Sequence, residues 1–140
     1  MDTIIVFRIG DEHIGIDINK VREVTESTEP VAVPGTPNFL LGLVNVRGEI
    51  IPVVSLKKRL GLKGEEQGNV LLIIEEKGRL AGLKVDELFG TKKIKEKEIN
   101  RRSEFLSTKK EKQFFYGVCE TGEKPILILD LVRTLSKEDK

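Results

Sequence analysis

The sequence predicts a mainly β fold made of two similar small β-barrels with short helices. Short β-rich runs recur along the chain, and turn residues such as Gly10-Asp11, Arg47-Gly48 and Thr121-Gly122 separate them. Many short strands joined by glycine-containing turns are typical of a sandwich or a barrel. The clearest runs are Ile4–Ile9, Ile14–Ile18, Leu40–Val46, Ile50–Val54, Val70–Ile74, Leu80–Val85, Phe114–Cys119 and Ile126–Leu129.

An internal repeat is the second observation behind this prediction. Gly15, Ile16, Ile18, Asn19 and Val21 match Gly82, Leu83, Val85, Asp86 and Leu88 at an offset of 67 residues. Gly42-Leu43 and Ile51–Leu56 match Gly117-Val118 and Ile126–Leu131 at an offset of 75 residues. Chance similarity among short hairpins is the alternative, but two matched segments in the same order favour a structural repeat.

Two short helices follow the returning strands of this repeat. Residues Ser55 to Leu60 predict one helix, with Ser55 as its N-cap and Gly61 at its end. Residues Asp130 to Leu135 predict a second helix, with Asp130 as its N-cap. Serine and aspartate accept a hydrogen bond from the first free backbone N–H groups of a helix, and glycine accommodates the left-handed backbone that ends one.

The run Ile50 to Val54 is apolar at every position, unlike an ordinary half-exposed strand. Strict alternation would place polar groups on one face, so we expect both faces of this strand to be covered. A neighbouring barrel or helix is one candidate for the cover, and a bound partner protein is the other. Pro52 lacks an N–H group, which suits an edge strand or a bulge.

The composition argues against several classes of function. The chain has 140 residues, a net charge of +1, one histidine and one cysteine. Neither a zinc-ligand spacing, a phosphate-binding glycine loop nor a nucleophile elbow occurs in the sequence, so we predict no catalytic site, no metal and no cofactor. His13 is predicted to be a solvated turn residue, and Cys119 a core residue. No apolar run approaches the roughly 18 residues of a membrane span.

One long block of sequence resembles a known family. The block from Phe39 to Leu56, which contains Asn45-Val46-Arg47-Gly48 followed by Ile51-Pro52-Val53, resembles the central signature of CheW-type chemotaxis coupling proteins. Phe7 to Ile18 and Val21 to Val24 resemble the opening of that family, and Pro34 to Pro37 resembles the loop before the signature. Ala81 to Asp86, Gly117-Val118 and Ile126 to Leu131 continue the likeness, which covers nearly the whole chain.

The resemblance implies a fold and a division of the chain. It implies two SH3-like five-stranded β-barrel subdomains related by pseudo-symmetry. We therefore predict a single CheW-like domain over residues 1–140 with two intertwined barrels. Residues 15–65 approximately form the first barrel, residues 1–14 with 66–135 approximately form the second, and 136–140 form a charged C-terminal tail.

The resemblance also implies partners and sites. It implies a non-catalytic cytoplasmic adaptor, recruited to membrane-associated receptor arrays without inserting into the membrane. Its partners would be the cytoplasmic tip of methyl-accepting chemotaxis receptors and the regulatory domain of the histidine kinase CheA. The receptor would bind a groove between the barrels, with Glu23 and Arg47 as an ion pair. The residues implied for the receptor are Val21, Glu23, Gly42, Arg47, Leu88 and Thr91; those for the kinase are Val46 and Ile50; Gly48 is a structural turn residue.

Two other functions remain as alternatives at this point. One is an adaptor of another chemosensory pathway, such as surface motility, which the sequence does not separate from chemotaxis. The other is a small-barrel nucleic-acid-binding protein, but 5% aromatic residues and a charge near zero argue against it. The segment Thr91–Gln113 has nine basic residues interleaved with four acidic ones, which favours a solvated connection between strands over a nucleic-acid surface.

Overall fold

The computed structural model describes residues 1–136 and divides into two compact units. The central unit is Asn19–Glu87, the middle of the sequence. The terminal unit combines residues 1–18 with the chain from Leu88 onward. Of the predicted charged tail 136–140, only Ser136 lies within the described residues.

The central unit carries a five-stranded sheet. Its elements are β3 (Val21–Glu26), β4 (Leu40–Val46), β5 (Glu49–Val54), α1 (Leu56–Leu60), β6 (Val70–Glu76) and β7 (Arg79–Val85). The strand order is β3-β6-β7-β5-β4. Two antiparallel hairpins, β4–β5 and β6–β7, meet where β5 and β7 run parallel.

The terminal unit repeats this plan with different segments. Its elements are β1 (Thr3–Ile9), β2 (Glu12–Asp17), β8 (Glu87–Lys93), β9 (Ile99–Asn100), α2 (Lys109–Phe114), β10 (Phe115–Cys119), β11 (Ile126–Leu129) and α3 (Leu131–Thr134). The strand order is β8-β1-β2-β11-β10-β9, in which the hairpins β1–β2 and β10–β11 again meet at a parallel pair.

Equivalent glycines occupy equivalent places in the two sheets. Gly82 and Gly15 each lie in the parallel pairing, opposite Val53 and Ile128. Gly42 and Gly117 lie in the outgoing strands of the other hairpins, each directly after a shift in strand register. The internal repeat is therefore a repeat of strand pairing, and the predicted mainly β fold of two SH3-like subdomains is confirmed. The predicted number of five strands is right for the central sheet but wrong for the terminal sheet, which has six because the short strand β9 pairs with β10.

Both predicted helix starts are confirmed by their hydrogen bonds. The Ser55 hydroxyl accepts a hydrogen bond from the Lys58 N–H, and α1 ends at Gly61 with φ 75°. The buried Glu66 carboxylate accepts hydrogen bonds from the Ser55 hydroxyl at 2.8 Å and from the Lys57 N–H at 2.9 Å. The start of α1 is thus held by two side chains, because its first N–H groups have no partner within the helix. Asp130 accepts from the N–H three residues on and begins α3 in the same way.

The predicted boundaries of the barrels need correction. Residues 66–87, assigned to the second barrel, lie in the central unit, because β6 pairs with β3 and β7 pairs with β5. Residues 15–18, assigned to the first barrel, lie in the terminal unit, since β2 pairs with β1 and β11.

Two local predictions also differ from the structure. His13 lies in β2 rather than in the turn, and its ring centroid is 4.7 Å from that of Phe89. Thr91–Gln113 is not only a connection, because it contains the end of β8, β9 and most of α2. Cys119 is buried in β10, as predicted.

Strand β5 is covered less completely than predicted. Ile51 and Val53 are buried in a core cluster with Val44, Leu71 and Ile73, and burying each such side chain contributes about 1.5–3 kcal/mol. Ile50, however, is 60% exposed, so the expectation that both faces are covered is wrong at this position.

Pro52 does not lie on an edge strand, because β5 runs between β7 and β4. The pairing with β7 covers only Val53 and Val54 of β5. Pro52 therefore lies in the half of the strand that has β4 as its one registered neighbour, where a missing N–H is tolerated.

None of the helices within residues 1–136 has the length and apolar character needed to cross a membrane.

Candidate functional site

The tip of the β4–β5 hairpin is a two-residue turn. Val46 and Glu49 are the last paired residues, and Arg47 and Gly48 between them have φ of 48° and 87°. Positive φ at both central residues is the geometry of a type I′ turn, which matches the twist of the flanking strands. The Asn45 side-chain oxygen accepts a hydrogen bond from the Gly48 N–H at 2.8 Å. The turn role predicted for Gly48 is confirmed, and Asn45 fixes the backbone conformation of Arg47.

This turn places the Arg47 guanidinium on the carboxylate of Glu23 in β3. The Glu23 side chain is 26% exposed, whereas that of Arg47 is 69% exposed. The hydrogen bond to Glu23 and the charge of Glu23 raise the pKa of Arg47 above its ordinary value; partial burial opposes this, and the charge of Glu49 adds to it. The predicted ion pair is present, and much of the guanidinium still faces solvent.

A second ion pair lies beside the first. The Arg22 guanidinium is 3.3 Å from the Glu49 carboxylate, and both side chains are about half exposed. Arg22 and Glu23 are neighbours on β3, while Arg47 and Glu49 flank Gly48. We call these four side chains the charge quartet. Its formal charges sum to zero, so it offers directional donors and acceptors without a net charge.

Gly42 allows another segment to pass closely over β4. Its φ is 145°, and a Cβ atom there would lie 2.3 Å from the carbonyl oxygen of Val31. Val31 and Leu43 exchange two backbone hydrogen bonds of 2.9 Å each. Gly42 is therefore required for the close approach of two backbones.

An apolar row lies on the outer face of the β4–β5 hairpin. Val31 bridges to Leu43, and Leu43 pairs with Pro52, so these three side chains share a face with Ile50. We call Val31, Leu43, Ile50 and Pro52 the apolar row. Val31 is 72% exposed and Ile50 is 60% exposed.

The two residues predicted to dock the kinase do not lie on one face. Ile50 belongs to the apolar row, but Val46 packs against the core cluster on the opposite face of the hairpin. The alternation of strand side chains gives the physical reason, because Val46 pairs with Glu49, the residue next to Ile50.

The residues predicted to bind the receptor divide between the two units. Val21 and Glu23 lie in β3, and Gly42 and Arg47 lie in or beside β4, all in the central unit. The remaining two, Leu88 and Thr91, lie in β8 of the terminal unit, where Leu88 is half-buried and Thr91 is exposed.

Other residues of the site were not predicted from the sequence. Arg22, Glu49 and Val31 take part in it only through strand pairing. The turn role of Asn45 could have been predicted from the sequence, because asparagine three residues before a turn glycine is a common turn-forming arrangement. Among residues 1–136, no three His, Cys, Asp or Glu side chains come together as a metal site.

The sequence of this chain matches a known family over nearly its full length. Residues 3–139 match the family described as the CheW-like domain. The chain belongs to this family. The prediction that this chain is a CheW-type chemotaxis coupling protein is thereby confirmed.

Named relatives agree with this membership. The chain is 32% identical over 134 residues to "Chemotaxis protein CheW" of Helicobacter pylori. The matched region spans 94% of this chain and 80% of that relative. It is 28% identical over 135 residues to "Chemotaxis protein CheW" of Thermotoga maritima, and the matched region spans 96% of this chain and 87% of that relative. Among solved structures, the scaffolding protein TtCheW of Thermoanaerobacter tengcongensis is similar with a TM-score of 0.82 and 34% identity, covering 92% of this chain and 88% of that one.

Proposed function

We propose that this CheW-like chain is a non-catalytic cytoplasmic adaptor that couples a chemoreceptor to the histidine kinase CheA. The β4–β5 hairpin is the observation that carries the proposal. Its tip carries Arg47 and Glu49 of the charge quartet, and its outer face carries Leu43, Ile50 and Pro52 of the apolar row. One hairpin thus contributes to two chemically different surfaces, as an adaptor for two proteins requires.

The receptor is assigned to the charged surface. The guanidinium of Arg47 is planar and carries several donors, so it can hold Glu23 and still donate to an acceptor on a receptor helix. Val21 and Gly42 accompany this pair in the central unit, and the receptor contacts proposed in the terminal unit are Leu88 and Thr91. The receptor-tip contact would recruit the chain to membrane-associated arrays.

The kinase regulatory domain is assigned to the apolar row, centred on Ile50. Exposed apolar side chains on one face are the usual core of a protein interface. Val46 would support this surface from the inner face, since it packs on the core below the hairpin.

Control of the kinase would follow from differences in affinity. If one receptor conformation binds the charge quartet more tightly than another, the bound adaptor presents the kinase differently in the two states. Such a mechanism needs no cofactor and no reaction on the adaptor itself.

Chemical-shift mapping tests this assignment. The isotopically labelled chain is titrated separately with a receptor-tip fragment and with the kinase regulatory domain. We expect the receptor fragment to perturb β3 and the β4–β5 turn, and the kinase domain to perturb residues around Ile50. Two variants serve as controls for each other, because Glu23→Lys should weaken the first interaction and Ile50→Ser the second. Perturbation of one common patch by both partners would contradict the proposal.

A further inference from the structure

The charges of two carboxylates act on the Arg47 guanidinium, which pairs with that of Glu23. Glu23 approaches from β3, and Glu49 lies two residues further along the chain, across the turn. The charge of Glu49 already acts on the Arg47 guanidinium. A pair between Arg47 and Glu49 would close a very short loop, so little chain entropy opposes it. A further contact must therefore favour the pair of Arg47 with Glu23 over a pair of Arg47 with Glu49.

The structure of β3 shows what holds Glu49. Val21 pairs with Ile74 and Glu23 with Ile73, so two steps along β3 match one step along β6. Arg22 is the extra residue of this bulge. Neighbouring side chains of a regular strand point to opposite faces, but a bulge redirects one of them. With this shift in register, Arg22 pairs with Glu49 and Glu23 pairs with Arg47 at the same hairpin tip.

We propose that Arg22 is a positioning residue for the Glu23–Arg47 pair: it occupies Glu49 and so keeps the Arg47 guanidinium on Glu23. The consequence for binding rests on the proposed function, in which Arg47 contacts the receptor. The Arg22–Glu49 distance of 3.3 Å and the bulge at Arg22 carry the inference. Without Arg22, the carboxylates of Glu49 and Glu23 compete for one guanidinium.

The test is a rescue experiment on the full chain. Arg22→Gln removes the cation that holds Glu49, and Arg22→Gln with Glu49→Gln also removes the competing carboxylate. The matched control combines Arg22→Gln with Glu75→Gln, because Glu75 is exposed in the same unit and lies outside the quartet. Both double variants have the same net charge, so only the position of the lost carboxylate differs between them.

Two readouts are measured for each variant. The first is the side-chain guanidinium resonances of Arg47 in the free protein, assigned by their loss in Arg47→Lys. We expect Arg22→Gln to shift them, the Glu49→Gln double variant to return them, and the Glu75→Gln double variant to leave them shifted. The second is the affinity for a receptor-tip fragment, which should fall by about two- to fivefold and recover in the same pattern.

The outcomes separate this inference from the proposed function. Unshifted Arg47 resonances in Arg22→Gln, or equal recovery by both double variants, would overturn the positioning role. If the resonances shift and recover as expected while Glu23→Lys binds the receptor fragment normally, the positioning role stands and the receptor assignment is wrong.

Discussion

The backbone of Val31 lies directly against Gly42, so closely that no Cβ atom fits between them. A Cβ atom added to Gly42 would stand 2.3 Å from the Val31 carbonyl oxygen. This contact fixes the segment before β4 on the hairpin and brings Val31 into line with Leu43 and Pro52. The apolar row therefore depends on a glycine that contributes no side chain to it.

Gly42→Ala should destabilise the chain strongly. It adds a methyl group where the backbone leaves no space, at a φ of 145° that alanine rarely adopts. We expect a loss of about 2 kcal/mol or more in the free energy of unfolding, measured by urea denaturation. Gly35→Ala is the control, since φ is also positive there but no atom lies within 4 Å; it should cost about 1 kcal/mol. Equal losses in the two variants would refute the close-contact role.

Asn45→Ala should loosen the turn that carries Arg47. It removes the acceptor for the Gly48 N–H, which should lower the free energy of unfolding by about 1 kcal/mol. Receptor-fragment binding should weaken as well, because the Arg47 guanidinium is then less well placed. Asn45→Asp keeps the acceptor oxygen and should behave nearly as the unmodified chain does. A defect of the same size in Asn45→Asp would show that the hydrogen bond is not the cause.

Glu23→Lys should reduce receptor binding. The change places a cation beside Arg47, so we expect affinity for a receptor-tip fragment to fall roughly five- to tenfold. The free energy of unfolding is measured alongside, because the Glu23 side chain is only 26% exposed and a charge reversal there also affects stability. Glu26→Lys, an exposed position on the same strand, is the matched control. Unchanged binding by folded Glu23→Lys would remove Glu23 from the receptor site.

Deprotonation of the Glu12 carboxyl group should lower the free energy of unfolding of the chain as the pH rises above the acid range. Burial, and then the nearby charge of Glu111, raise the pKa of Glu12 above its ordinary value of 4.5; Lys124 opposes them, and Asp11 adds to the increase. The folded chain therefore holds this proton more tightly than the unfolded chain, and stability is lost as the pH rises through the folded pKa.

Replacing Glu12 by glutamine checks this sign. Near pH 3 the carboxyl group is protonated in both states, so Glu12→Gln should change the free energy of unfolding little. Near pH 7 the variant should be more stable than the unmodified chain. Glu29→Gln, at an exposed position, is the control. A stability difference that does not grow between the two pH values would contradict the prediction.

The parts of the fold predicted from sequence are those with a strong local pattern. Apolar runs predicted the strands of the four hairpins, and Ser55 and Asp130 predicted the two helix starts that they cap. Strand β3 was missed because its sequence mixes charged and apolar residues and none of them is fully buried. Helix α2 was missed because its first five residues are all charged or polar, with burial coming only at Phe114.

The site was predictable in part. The pairing of Glu23 with Arg47 came from the family resemblance, which aligns the two segments that carry them. The opposite orientation of Val46 and Ile50 could have been read from strand alternation across a two-residue turn. The pair of Arg22 with Glu49 could not be predicted, because a bulge depends on the register between two strands and is not visible in the sequence of either strand alone.

An adaptor must hold the receptor and the kinase at the same time. This is tested by sedimentation velocity on the chain mixed with a receptor-tip fragment and the kinase regulatory domain. We expect a complex containing all three proteins, which loses the receptor fragment with Glu23→Lys and the kinase domain with Ile50→Ser. Two binary complexes that displace each other, with no ternary species at saturating concentrations, would contradict it.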